Sequence, residues 1–135
     1  MSTPMCPVVH FEMPYRDAAR ASRFYTEVFG WQIQAFGEEM GHYLMATTAG
    51  EDSAEPGTKR GVINGGLFPF KADWPMQHPS VVIAVADIRA AMARVNAGGG
   101  EVMGEPMPIP GVGDYVSFVD TEGNRHSMLQ PLMPG

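Results

Sequence analysis

Cysteine is almost missing from this chain. Cys6 is the single one in 135 residues, which excludes an internal disulfide and any Cys-x-x-Cys zinc site. Charge is sparse as well. Charged residues make up 18% and hydrophobic residues 44%, a balance too apolar for intrinsic disorder. Long hydrophobic runs are lacking, since the longest, Val81 to Ala86, falls far short of a membrane span. Met1 to Pro7 has neither the charge nor the apolar core of a signal peptide, so a cytoplasmic protein is expected. Positive charge is in the minority. Nine Lys and Arg against fifteen Asp and Glu give a net charge of −6, which repels phosphate backbones and anionic lipid and argues against nucleic acid or membrane as partners.

What is present is punctuation. Sixteen Gly and twelve Pro keep the elements between them short. Val8 to Met13 alternates and stops at Pro14, which predicts a strand. Asp17 is placed to cap a helix, whose apolar stripe is Ala21, Phe24, Tyr25 and Val28 and whose end is Gly30. Trp31 to Phe36 and His42 to Thr48 read as strands, Ala49 to Arg60 as an exposed polar loop, and Val62 to Leu67 as a strand loosened by Gly65 and Gly66.

The same order then recurs. Val81 to Ala86 reads as a buried strand, Asp87 as a second cap, and Ile88, Ala91, Met92 and Val95 as a second stripe ended by Gly98, Gly99 and Gly100. Asp17 to Gly30 and Asp87 to Gly100 each span 13 residues. Glu101 to Met107 reads as a strand and Pro108 to Gly113 as a loop. Tyr115 to Val119 and Arg125 to Gln130 flank Asp120-Thr121-Glu122-Gly123-Asn124, a strong hairpin signal. The expected organisation is a single domain over 1–135, built of two strand–helix–three-strand modules at 8–68 and 79–131. Neither module can close a core alone.

Val9-His10-Phe11-Glu12 with Asp17, Ala21, Phe24-Tyr25 and Phe29-Gly30 resembles the opening motif of the vicinal oxygen chelate superfamily, which includes glyoxalase I, bleomycin-resistance proteins and extradiol dioxygenases. The second half agrees through Val81 to Asp87, the Gly98–Gly100 cluster and Phe118 to Asn124. The resemblance implies an α+β fold of paired βαβββ modules, whose curved mixed sheets enclose a cavity, and it implies a homodimer. It also implies positions for a divalent metal on the first and last strands of each module. Carried over, these fall on His10, Val81 and Ser127, with Asn64 the only polar side chain in the last strand of the first module. His78 would reach such a position only through a register shift.

That donor set is thin. Zinc needs three protein ligands from His, Cys or carboxylate, and Mg²⁺ or Mn²⁺ needs an octahedron of oxygens. Val81 has no lone pair and Ser127 is a weak donor. Only His10 and Glu12 remain, on one face of one strand because side chains alternate. No metal is therefore expected; the alternative is Zn, Ni or Mn held by His10 and Glu12 with water or a partner chain. The His-x-Glu spelling resembles that of zinc deaminases, but a single cysteine excludes their second motif. No P-loop, Gly-x-Ser-x-Gly or His-Glu-x-x-His is present.

His10 and Glu12 are the candidate catalytic pair, with the carboxylate expected to raise the histidine pKa towards neutrality. Candidate ligand-binding residues are His10, Glu12, Asn64, Val81, Ser127, Trp31, Tyr43 and Tyr115, the aromatic ones as stacking partners or as core and rim. Met45, Met103, Met107 and Met128 either line a pocket or fill core gaps. His126 neighbours Ser127, so alternation aims it away from the cavity. The preferred function is a metal-poor binder of a small, partly apolar molecule. The alternatives are a metal-dependent lyase or isomerase of glyoxalase type, and a dimeric sequestration protein without catalysis.

Overall fold

Two aspartates start the two helices. Asp17 sits in extended backbone and its carboxylate accepts from the Arg20 N–H at 2.9 Å, opening α1 (Ala18–Phe29). Asp87 does the same for the Ala90 N–H at 3.1 Å and opens α2 (Ile88–Ala97). Each satisfies a backbone donor that has no partner inside its helix. Gly30 ends α1 in the left-handed conformation at φ 74°. At the end of α2 it is Gly99, at φ 98°, that takes this conformation.

This computed structural model describes residues 5–49 and 62–132. Apart from Ala49, the expected loop Ala49 to Arg60 lies outside the described residues. The strands are β1 (Val8–Tyr15), β2 (Gln32–Ala35), β3 (Leu44–Thr47), β4 (Asn64–Pro69), β5 (Ser80–Ala84), β6 (Glu101–Ile109), β7 (Gly113–Val119) and β8 (Arg125–Pro131). A 3₁₀ turn at Glu38–Met40 joins β2 to β3. The fold is α+β, with mixed sheet pairing.

The described residues fall into two compact units, one within His10–Pro79 and the other within Met1–Val9 and Ser80–Gly135. In the first, the strand order is β2-β3-β4-β1, with β1 parallel to β4. In the second it is β5-β8-β7-β6, with β5 parallel to β8. Each sheet has one face under its helix. Leu44, Ala46 and Leu67 form the first core, with Phe11, Met13, Tyr15, Ala21, Tyr25, Trp31 and Ile33 against it. Val85, Ile88, Ala91, Val116, Phe118 and Met128 form the second, with Met92 and Val95 packed on.

The two apolar stripes fare differently. That of α2 is used in full. On α1 only Ala21 and Tyr25 turn inward, while Phe24 and Val28 stay 52% and 56% exposed. The expected loop from Pro108 is also corrected: β6 runs on to Ile109, past a bulge between Met103 and Met107, and only then turns. β6 is the last strand in its order, so the missing N–H of Pro108 falls on an edge that tolerates it.

Candidate functional site

Alternation sorts the residues of β1. Phe11 and Met13 pack into the α1 core, so His10 and Glu12 share the opposite, helix-free face. Tyr43, just ahead of β3, joins them. Its hydroxyl lies 2.9 Å from His10 Nε2 and donates to Glu12 Oε2 at 3.0 Å. A phenol has one proton and an ionised carboxylate none to give. With that proton committed to Glu12, the hydroxyl accepts from His10 Nε2–H, and the basic nitrogen of His10 is Nδ1. This tautomer is assigned from the network.

The turn before β3 fixes Tyr43. The Phe36 N–H donates to the Tyr43 carbonyl at 2.9 Å, and the Tyr15 hydroxyl donates to the His42 carbonyl at 2.7 Å. Under the phenol ring lies Gly66, in register with Glu12 on one side and Met45 on the other. A β-carbon at Gly66 would collide with the Tyr43 ring, and one at Gly65 with the Phe11 ring. The two glycines therefore make room for aromatic rings on opposite faces, a role that the reading of a loosened strand misses.

The expected sign of the His10 titration is corrected. Its pKa lies below the ordinary 6.5, because burial penalises the imidazolium more than Glu12 favours it. Glu12 opposes the shift without outweighing burial. At neutral pH His10 is a neutral acceptor and donor rather than a cation.

The remaining candidates divide. Asn64 stands beside His10 in register, but its Oδ1 accepts from the Thr48 N–H at 2.9 Å, which leaves it to serve a ligand as a donor. Trp31 lies on the other face, stacked on Tyr25 at 4.7 Å and tilted against Phe11 at 5.6 Å. It fills the α1 core and is not brought to His10. Met128 is core, and Met107 is exposed.

In the second unit Ser127 and Tyr115 do meet. The Ser127 hydroxyl donates to the Tyr115 hydroxyl at 2.6 Å and lies 3.1 Å from Ser117 Oγ. Arg125 Nη2 donates to Ser117 Oγ at 3.1 Å. Sequence reasoning missed Ser117 and Arg125, although both fall at even spacing from the residues it chose. Val81 is not part of this group. Ser127 pairs with Val82, so Val81 points with Ile83 to the α2 face. Its N–H donates to His126 Nδ1 at 3.1 Å, and His126 lies against Phe118, on the face away from Ser127 as expected.

The two units correspond strand by strand. With Asp17 matched to Asp87, Glu12 matches Val82, and their parallel partners are Gly66 and Ser127. Opposite these stand Met45 and Ser117, and two residues before each stand Tyr43 and Tyr115. The match of His10 is thus Ser80, one residue before the Val81 expected from the family pattern.

The donors do not fit a divalent ion. No group of three His, Cys, Asp or Glu comes together among the described residues. Glu12 and His10 are both tied to Tyr43, Gly66 has no side chain, and Ser127 is tied to two hydroxyls. Two donors on one strand leave such an ion mostly hydrated.

This chain belongs to the Glyoxalase/Bleomycin resistance protein/Dioxygenase superfamily, whose sequence pattern matches residues 8–127. It is 27% identical over 126 residues to a glyoxylase-like domain-containing protein of Didymella fabae, covering 87% of this chain and 88% of that one. It is 26% identical over 125 residues to a protein of Vibrio parahaemolyticus named "Probable lactoylglutathione lyase", covering 91% and 89%. Methylmalonyl-CoA epimerase from Mycobacterium tuberculosis superposes with a TM-score of 0.66 at 15% identity, over 93% of this chain and 88% of that one, a likeness of fold. No helix among the described residues is long and apolar enough to cross a membrane.

Proposed function

We propose that this chain binds a small, partly apolar molecule on the helix-free face of β1, β3 and β4, without a tightly held dication. The observation that carries this reading is the hydrogen-bonded chain from His10 through Tyr43 to Glu12, a fixed polar group at the edge of an otherwise modestly polar face. Met45 lies on the same face and offers apolar surface, and Asn64 offers a donor. Burial of apolar ligand surface supplies the affinity and the polar residues supply orientation. His10, neutral and basic at Nδ1, is the group that takes a proton if a reaction occurs there, with Tyr43 and Glu12 holding its ring.

The test is a thermal-shift screen of small molecules on the intact chain. A ligand at 100 times its dissociation constant adds about 2.7 kcal/mol of stability, and His10→Gln is expected to reduce that gain. Absence of any ligand that needs His10 would end the proposal.

A metal-dependent lyase or isomerase of glyoxalase type is the second reading, supported by the name of the Vibrio relative. It is separated by elemental analysis and by titration with Zn²⁺, Ni²⁺ and Mn²⁺. We expect no stoichiometric tight binding; tight binding at one ion per chain would favour the lyase. Homodimerisation and the sequestration reading stay proposals, which light scattering on the purified chain distinguishes.

A further inference from the structure

The two helices hold the same place in their repeats, so each serves as a control for the other. Matching Asp17 with Asp87 sets Phe24 of α1 against Arg94 of α2, and Val28 against Gly98. Arg94 is exposed, and Gly98 has already left its helix. The fold therefore asks for no apolar side chain at either place. Yet Phe24 is 52% exposed, Val28 56% and Phe29 61%. The rings of Phe24 and Phe29 are 6.3 Å apart, so the patch is continuous. A cluster of large apolar side chains facing water marks an interaction surface.

The charges of α1 run the wrong way as well. A helix favours acids in its first turn and bases in its last, opposite the partial charges of its ends. α1 has no acid in its first turn, where Arg20 stands, and no base in its last, where Glu27 stands. α2 follows the rule, with Arg94 in its last turn. Alone, α1 loses stability by this arrangement. Beside an antiparallel copy of itself both signs become favourable. Arg20 then lies by the C-terminal end and Glu27 of the other helix, and Glu27 by its N-terminal end and Arg20.

Arg20, Phe24 and Val28 follow one another at a spacing of four and form one ridge of the helix. With a two-fold axis at Phe24, the two Phe24 rings meet at the centre. Arg20 of each copy then faces Val28 and Glu27 of the other. A contact of this isologous kind closes at two copies.

We propose that the Phe24 and Val28 face of α1 is a docking surface for a second copy of this chain, with the two α1 helices antiparallel about Phe24. This rests on the homodimerisation reading above and names the surface that it uses.

The experiment is sedimentation velocity of the full chain from dilute to concentrated solution. One helix pair covers less than the ~800 Å² per partner of a standard interface, so a reversible dimer is expected. Phe24→Glu should leave a monomer at every concentration. Arg20→Glu, which sets like charges face to face, should weaken the dimer about tenfold. The same change puts an acid in the first turn and stabilises α1 itself, so loss of fold does not mimic it. Adding Glu27→Arg to Arg20→Glu restores opposite charges and should recover the dimer. A parent chain that is monomeric throughout overturns the proposal together with the homodimerisation reading. A dimer unchanged by either single variant overturns the proposal alone, and so does a double variant no tighter than Arg20→Glu.

Discussion

The phenol ring of Tyr43 occupies the space in which any side chain of Gly66 would stand. The ring is thereby laid flat across β4, and its hydroxyl reaches both His10 and Glu12. A missing side chain on one strand thus determines the hydrogen bonding of two residues on another.

Gly66→Ala is therefore expected to displace Tyr43. Forcing a methyl into a filled site costs about 1–3 kcal/mol, to be read from urea unfolding with an unchanged m-value. Tyr43→Phe/Gly66→Ala should not repair the loss, because the ring is still there. Recovery of full stability in that double variant would show that the hydroxyl, not the ring, is what the methyl strikes.

The titration of His10 has a definite sign. Its folded pKa lies below the unfolded value of 6.5, so the unfolded chain binds the proton first as the pH falls. Stability from this group is complete above 6.5 and declines as the pH drops from there to the folded midpoint. His10→Gln should flatten that slope. NMR should place the imidazole midpoint below 6.5 in the folded chain, and Glu12→Gln should move it lower still, since Glu12 is the group that opposes the shift. A midpoint above 6.5 would mean that charge, not burial, governs the site.

Asp120 governs the turn between β7 and β8. Its carboxylate accepts from the backbone N–H of Glu122 at 2.8 Å and of Asn124 at 2.9 Å, and from Asn124 Nδ2 at 3.1 Å. These bonds, those of Asn124 foremost, hold its pKa below the ordinary 3.8. Their contribution is present above the unfolded pKa and is lost as the pH falls through the folded one. Asp120→Ala should lower the melting temperature at pH 7, and the gap to the parent should close in strong acid. A gap that persists there would assign the loss to something other than the ionised carboxylate.

Much of the fold was legible because it rests on local chemistry. Asp17 and Asp87 cap their helices by a contact only three residues long, and the Asp120 to Asn124 turn is likewise self-contained. Legibility failed where a neighbour distant in the chain decides the outcome. Pro108 looked like a strand end, because only the edge position of β6 makes its lost donor harmless. Trp31 looked available to a ligand, since nothing in its own segment announces the rings of Tyr25 and Phe11. For the candidate site, the pairing of His10 with Glu12 follows from alternation, but the bridge through Tyr43 does not. Arg125 stayed hidden because its bond to Ser117 crosses from one strand to the next and nothing in its own segment announces it.

Gly66 also bears on how this chain can change. In the matching place the other unit carries Ser127, so one copy of the repeat has a polar group where the other has an aromatic lid. Any acid or imidazole that mutation brought to position 66 would meet the Tyr43 ring first, and would have to evict it. Acquiring a further chelating group there takes two coordinated replacements rather than one, with the intermediate less stable than either end, so the single-step route to metal dependence at that strand is closed.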